Sequence, residues 1–224
     1  DLENIILKVK EKKINGINVT VPFKKTIIPF LDKLTTEAQS TQSVNTVYLN
    51  DDKTIGHNTD IDGFETSIKK LKFELFNKKV LILGAGGVVS SIIFALNKIK
   101  VSKIIVSNRT KKKAENLKDL FNNLDVIDWG EIPNFDMIIN ATSVGLKRGD
   151  KINLDLSSVG QSKIFYDVIY NPKETNFLKT GKDLGNIAVN GKLMFIYQAY
   201  SAFNTWHGIK PDINHKVSEF LDYD

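Results

Sequence analysis

An α/β protein is what this 224-residue sequence predicts: a doubly wound parallel sheet with a second, smaller α/β unit beside it. Three observations carry that prediction. Between residues 80 and 170, short apolar runs alternate with segments of helical periodicity, as strand-helix-strand crossovers do. Those runs, Val80-Leu81-Ile82-Leu83 above all, are continuously apolar, as strands covered by helices on both faces must be. On either side the texture changes to short alternating strands and amphipathic helices. The chain is therefore expected to divide into a nucleotide-type domain, 66–190, and a second domain formed by 1–65 with 191–224. A cleft between two such units is a natural ligand site.

The elements follow in order. Leu2, Ile5, Ile6 and Val9 fall at helical spacing, so residues 2–12 are expected as a helix. After Gly16, the alternating β-branched run Ile17 to Val21 reads as a short strand stopped by Pro22, which has no N–H for a ladder. A helical stretch is expected from there through Leu34. Val44–Leu49 and Lys53–Asn58 read as a hairpin around the turn formers Asn50-Asp51-Asp52. Asp60 to Leu71 returns to helical periodicity behind an Asn-Thr-Asp cap. In the middle region the expected strands are 80–83, 103–107, 125–127, 136–140 and 164–169, with helices at 88–98 and 111–121. Beyond Gly191 a long helix to Trp206 is followed by a C-terminal helix near Ile213 to Leu221.

Composition excludes several classes. With no cysteine, disulfides, thiol nucleophiles and Cys-based metal sites are impossible. His57, His207 and His215 are too far apart to suggest a metal site. The most apolar stretch, Val80 to Leu96, is split by Gly84-Ala85-Gly86-Gly87, whereas a membrane helix needs ~20 predominantly apolar residues. The net charge of +5 comes from lysines scattered among Asp and Glu, which reads as a solvated surface and not a nucleic-acid footprint. No leader is legible in Asp1-Leu2-Glu3, and a cytoplasmic location is the expectation.

Gly84, Gly86 and Gly87 stand between a buried strand and a helix. Gly84 permits a tight turn, Gly86 lets backbone approach a pyrophosphate, and the following helix N-terminus faces its charge. Val89 takes the place of the third glycine of a GxGxxG motif. The next strand ends in Ser107-Asn108-Arg109-Thr110, followed by Lys111-Lys112-Lys113. An NAD site would place an acid there, whereas a guanidinium suits the 2′-phosphate of NADP. Cations at a helix start are otherwise unfavourable. A Rossmann-like, NADP-binding domain is the reading.

In the first unit, Asn18-Val19-Thr20-Val21-Pro22-Phe23-Lys24 and Asn58-Thr59-Asp60 carry the candidate chemistry. Carbonyl reduction needs a hydride donor and a proton donor beside the developing alkoxide. A lysine side chain is already protonated at neutral pH, and a neighbouring carboxylate favours that form.

With NVTVPFK at 18–24, VNT at 44–46, NTD at 58–60, GAGG at 84–87, NRT at 108–110 and NATSVG at 140–145, the chain resembles the shikimate dehydrogenase family. DVIYNPKET at 167–175 and GKLMFIYQA at 191–199 extend the resemblance. It implies reversible, NADPH-dependent reduction of 3-dehydroshikimate to shikimate, with Lys24 as acid/base and Asp60 as its partner, both also contacting substrate hydroxyls. Thr20, Asn45, Tyr170 and Gln198 would join them in binding substrate. Gly84, Ala85, Gly86, Gly87 and Val88 would hold the pyrophosphate; Asn108, Arg109, Thr110 and Lys113 the adenosine phosphate. Thr142, Val168, Gly191 and Met194 would line the nicotinamide pocket. The expected partner is a small molecule, with a homodimer left open and neither nucleic acid nor membrane.

Departures accompany the resemblance. Family members open with a strand-helix-strand segment bearing two serines that grip the substrate carboxylate, and this chain starts after it. The second domain is thus expected to lack its first strands, and the chain as it stands to show weak activity or none. Gln42-Ser43 replaces the family's usual Gly-Ala, and Ser90 stands where an arginine often follows the glycine loop. Two alternatives stand beside the main reading: a quinate/shikimate dehydrogenase with relaxed cofactor choice, and a non-catalytic NADP-binding module.

Overall fold

A computed structural model of the chain describes residues 1–72, 74–219 and 221. Its larger sheet has six parallel strands, β5 (Lys79–Leu83), β6 (Lys103–Ser107), β7 (Leu124–Ile127), β8 (Met137–Asn140), β9 (Ile164–Asp167) and β10 (Ile187–Val189). They lie in the order β10-β9-β8-β5-β6-β7. The chain runs outward from β5 through β6 to β7, then crosses back to β8 and runs the other way. The reversal places a crevice at the carboxyl ends of β5 and β8, where doubly wound sheets bind ligands. Side chains of β5 alternate between two cores. Val80 and Ile82 enter one with Ile92, Ile93 and Leu96 of α5 (Val89–Ile99) and Phe64 of α4 (Asp60–Lys70). Leu81 and Leu83 enter the other with Phe177 and Leu178 of α7 (Asn176–Asp183).

The smaller sheet holds β1 (Gly16–Asn18), β2 (Lys33–Leu34), β3 (Thr46–Asn50) and β4 (Lys53–His57) in the order β1-β3-β4-β2. Asp51 and Asp52 both take positive φ at the β3–β4 hairpin, as a two-residue turn of type I′ requires. The core of this sheet is small: Val47 with Ile6 of α1 (Leu2–Lys10), Ile27, Ala38, Val19 and Val44. The long α8 (Lys192–His207) returns to it, its Trp206 Nε1 donating to Val47 O at 3.0 Å. Gly63 brings α4 and α8 together, since a Cβ there would stand 2.5 Å from Met194 O.

Several expected elements are corrected. The helix through Leu34 is instead α2 (Phe23–Thr26), a short 3-10 turn over Ile28–Phe30, and then β2 paired parallel with β4. Asp32 secures that pairing by accepting from Thr54 N and Thr54 Oγ1, both at 2.8 Å. The expected strand 17–21 keeps its ladder only to Asn18. A helix not anticipated, α3 (Thr36–Thr41), is capped by the Thr35 hydroxyl and ends at Gln42, whose φ of 48° is one that glycine adopts freely. The helix 111–121 shortens to α6 (Lys111–Glu115) with a 3-10 turn after it, and α7 and β10 were also not anticipated. At the C-terminus α9 spans His215–Glu219, and Phe220 of the expected helix lies outside the described residues.

Candidate active site

Asp60 is the first residue of α4, where a carboxylate meets the positive end of the helix. The cap is not the Thr59 side chain; the Asn58 Oδ1 accepts from Asp60 N at 3.2 Å. Lys24 lies on α2 and is set by its own backbone, since its carbonyl accepts from Val44 N at 2.9 Å. The two side chains meet at 2.5 Å, Lys24 Nζ to Asp60 Oδ2, and are 14% and 8% exposed. Asp60 Oδ1 accepts from Asn45 Nδ2 at 2.9 Å, so both carboxylate oxygens are engaged. An ion pair this far from water needs such partners to hold together. Asn45 Nδ2 also reaches Thr59 Oγ1 at 2.9 Å and Gln198 Oε1 at 3.4 Å, while its Oδ1 accepts from Thr59 N at 2.8 Å. Lys24, Asp60, Asn45 and Gln198, far apart in sequence, thus form one network.

A cleft of about 1070 Å³ opens beside Lys24 along the carboxyl ends of β5 and β8. Thr20, Val21 and Lys24 line one side. The glycine loop, Gly84 to Val88, lines its floor. Gly84 has a φ of +109°, and a Cβ there would stand 2.9 Å from Ala141 O, so only glycine fits. Gly87 has open space where its Cβ would be. At the far end Asn108, Arg109, Thr110 and Lys113 border the cleft. Arg109 and Lys113 have no side-chain partner among the described residues, whereas Lys111 turns to Asp128 at 2.8 Å. A bare backbone loop with two free cations at the end of the next strand fits a phosphorylated dinucleotide.

Thr142, Val168 and Tyr170 line the opposite wall, and Tyr170 stacks on Phe195 at 4.4 Å. Gly191 and Met194 stand behind this wall and not on it. A Cβ at Gly191 would lie 2.1 Å from Val168 O, and Met194 is buried in the main core. Asp60, Asn45 and Gln198 join the cleft wall in sequence, Asp60 bonding Lys24, Asn45 bonding Asp60 and Gln198 bonding Asn45.

Sequence reasoning missed the polar support beneath the wall. Asn140 Oδ1 accepts from Thr142 N at 3.1 Å and Thr142 Oγ1 at 2.7 Å, while its Nδ2 donates to Asp167 Oδ1 at 3.0 Å. Burial pushes the Asp167 carboxyl up, opposed by hydrogen bonds from Thr175, Ile169 N and Asn140. NATSVG and DVIYNP were read as motifs, but pairing their Asn and Asp requires β8 and β9 to be neighbours. Trp129, Lys151 and Asn153, which also border the cleft, carried no local signal. Among the described residues, no group of three or more His, Asp or Glu could hold a metal ion, and no helix is long and apolar enough to cross a membrane.

The chain is similar to known proteins in sequence and fold. Residues 1–47 match the shikimate dehydrogenase substrate binding domain, and residues 66–168 match shikimate / quinate 5-dehydrogenase. A shikimate dehydrogenase (NADP(+)) of Pelagibacter ubique is 56% identical over 99% of this chain and 84% of its own length. The shikimate dehydrogenase structure from Aquifex aeolicus superposes with a TM-score of 0.89 at 38% identity, covering 100% of this chain and 82% of that one. Quinate dehydrogenase from Corynebacterium glutamicum, in complex with NAD, gives 0.91 at 30% identity, over 100% of this chain and 83% of that one. With the motifs, the doubly wound sheet and the identity over 99% of this chain in agreement, the chain belongs to the shikimate dehydrogenase family.

Proposed function

We propose that the chain is an NADP-dependent oxidoreductase acting on a CH–OH group, interconverting 3-dehydroshikimate and shikimate, a step toward the aromatic amino acids. The observation that carries this reading is the near-buried Lys24–Asp60 pair, 2.5 Å apart, opening onto the same cleft as the glycine loop and two free cations. NADPH, when bound, supplies hydride to the carbonyl carbon. The Lys24 ammonium, held by Asp60, gives its proton to the carbonyl oxygen as negative charge develops there; in the reverse direction the amine takes it back. Asp60, itself held by Asn45 Nδ2, keeps that ammonium beside the cleft, so its proton need not be brought there afresh in each turnover.

Thr20 and Tyr170 are read as substrate contacts from the cleft walls, with Gln198 and Asn45 behind the pair. Gly84 to Val88 hold the pyrophosphate, and Asn108, Arg109, Thr110 and Lys113 the adenosine phosphate. Thr142 and Val168 face the nicotinamide, with Gly191 and Met194 shaping that wall from behind. The division into 1–65 with 191–224 and 66–190 belongs to the same reading, supported by the two sheets. Homodimerisation and a cytoplasmic location complete it, to be tested by sedimentation and by cell fractionation.

The decisive assay is NADPH oxidation with 3-dehydroshikimate, in this chain and in one preceded by the family's opening strand-helix-strand segment. Turnover that disappears in Lys24→Ala while NADPH still binds is the expected result. NADPH binding with no turnover in either unsubstituted form would leave a cofactor-binding scaffold and overturn the proposal.

A further inference from the structure

We propose that Asn58 and Ser91 are positioning residues, a buried link through which the cofactor loop sets the geometry of the Lys24–Asp60 pair. The inference rests on the reading of that pair as the acid/base and of Gly84–Val88 as the cofactor loop. Asn58 lies between β4 and α4, and both it and Ser91 are fully buried. Its planar amide is engaged at both ends. Oδ1 accepts from Asp60 N at 3.2 Å, while Nδ2 donates to Ser91 Oγ at 2.9 Å and to Thr41 Oγ1 at 3.1 Å. Ser91 stands in the first turn of α5, directly after the glycine loop. One side chain therefore touches the backbone of the acid/base partner and the helix that begins at the cofactor loop.

Neither helix propensity nor packing accounts for a hydroxyl at Ser91. Alanine is the better helix former, and the residues one turn on from Ser91, Phe94 and Ala95, are apolar. The hydroxyl has a use as the acceptor for a buried amide that water cannot reach. A second tether runs in parallel. Ser43 Oγ donates to Gly87 O at 3.3 Å, from the segment that leads to Asn45. The two segments that supply Asp60 with its amide partners, Asn45 and Asn58, are thus bonded to the cofactor loop or its helix. Binding that orders the loop is then felt at Asp60, and by linkage the effect is reciprocal.

The test is hydrogen exchange of segment 56–63, with and without NADPH, in the unsubstituted chain, Ser91→Ala and Ser43→Ala, alongside Tm and, in the form preceded by the family's opening segment, steady-state kinetics. NADPH is expected to slow exchange there in the unsubstituted chain. In Ser91→Ala most of that protection is lost and NADPH binding weakens, as the reciprocal coupling requires. Its kcat, read well below a Tm that the orphaned Asn58 amide lowers, falls ~10-fold while KM for 3-dehydroshikimate is held. Ser43→Ala is expected to show the same split to a smaller degree. Equal protection in the unsubstituted chain and both variants overturns the link. So does a fall in kcat that appears only near the lowered Tm, since that is a structural loss. If the NADPH-dependent protection is seen but neither this chain nor the form preceded by the opening strand-helix-strand segment turns over, the link stands and the dehydrogenase reading fails.

Discussion

In the six-stranded sheet Val80 and Ile82 face one apolar core while Leu81 and Leu83 face another. The four-stranded sheet has one small apolar core and, towards the cleft, a cluster of buried polar groups: Asn45, Thr46, Asn58, Thr59 and Asp60. The first region is held by burial, which is non-directional and roughly proportional to area. The second is held by hydrogen bonds that work only at particular angles and leave costly orphans when broken. Away from the glycine loop and the Asn140–Asp167 support, the six-stranded half can therefore tolerate changes that keep volume, whereas the polar cluster of the four-stranded half depends on individual atoms.

Substitutions in the two halves should separate activity from stability. Lys24→Ala is expected to lower kcat about 10²- to 10⁴-fold, the range for losing a general acid, with NADPH binding intact by fluorescence titration. Ile82→Ala, in the fully buried β5, should do the reverse. Denaturant unfolding should show a loss of about 2–5 kcal/mol, with kcat unchanged well below the melting temperature. A large fall in kcat from Ile82→Ala would break the comparison.

Arg109→Ala tests the far end of the cleft. A charge-assisted hydrogen bond contributes about 1.5–3 kcal/mol, so the preference for NADPH over NADH should fall roughly 10- to 100-fold, with NADH kinetics nearly unchanged. The smallest effect concerns Asp32. The Lys10 ammonium, and then Thr54 N and Oγ1, hold its carboxyl at about 2, below its ordinary value of 3.8. A lowered value in the folded state contributes stability above pH 3.8, lost as pH falls towards 2. The Tm gap between this chain and Asp32→Asn should therefore close across that window. The gap itself should be small, because the Asp32 side chain is 32% exposed and water screens the pair. A gap that persists to pH 2 would show that the Asp32 charge does not secure β2.

The elements legible in the sequence were those whose own residues specify them. Strand Lys103–Ser107, the β3–β4 hairpin and the long α8 emerged where periodicity and turn chemistry predicted them. The missed elements depend on neighbours. β2 is two residues long and exists because β4 offers it a ladder. α7 carries Gly181 in its middle, which reads as a helix breaker, but a Cβ there would stand 2.5 Å from Phe165. The close packing of α7 on the sheet requires that glycine. Gln42 and Ser43 read only as departures from the family pattern; folded, one closes α3 at positive φ and the other donates to Gly87 O.

The candidate site divides along the same line. The sequence by itself pointed to the glycine loop, the basic turn after β6, Lys24 and Asp60, because each belongs to a contiguous motif. Only the tertiary structure decided that Asn45 and Gln198 complete one network with them, that Lys111 turns away from the cleft while Arg109 and Lys113 stay free, and that Asn140 rests on Asp167. A motif states which groups a chain carries. Which of them lie within 3 Å of one another is set by strand order and helix packing, over separations along the chain that no local pattern encodes.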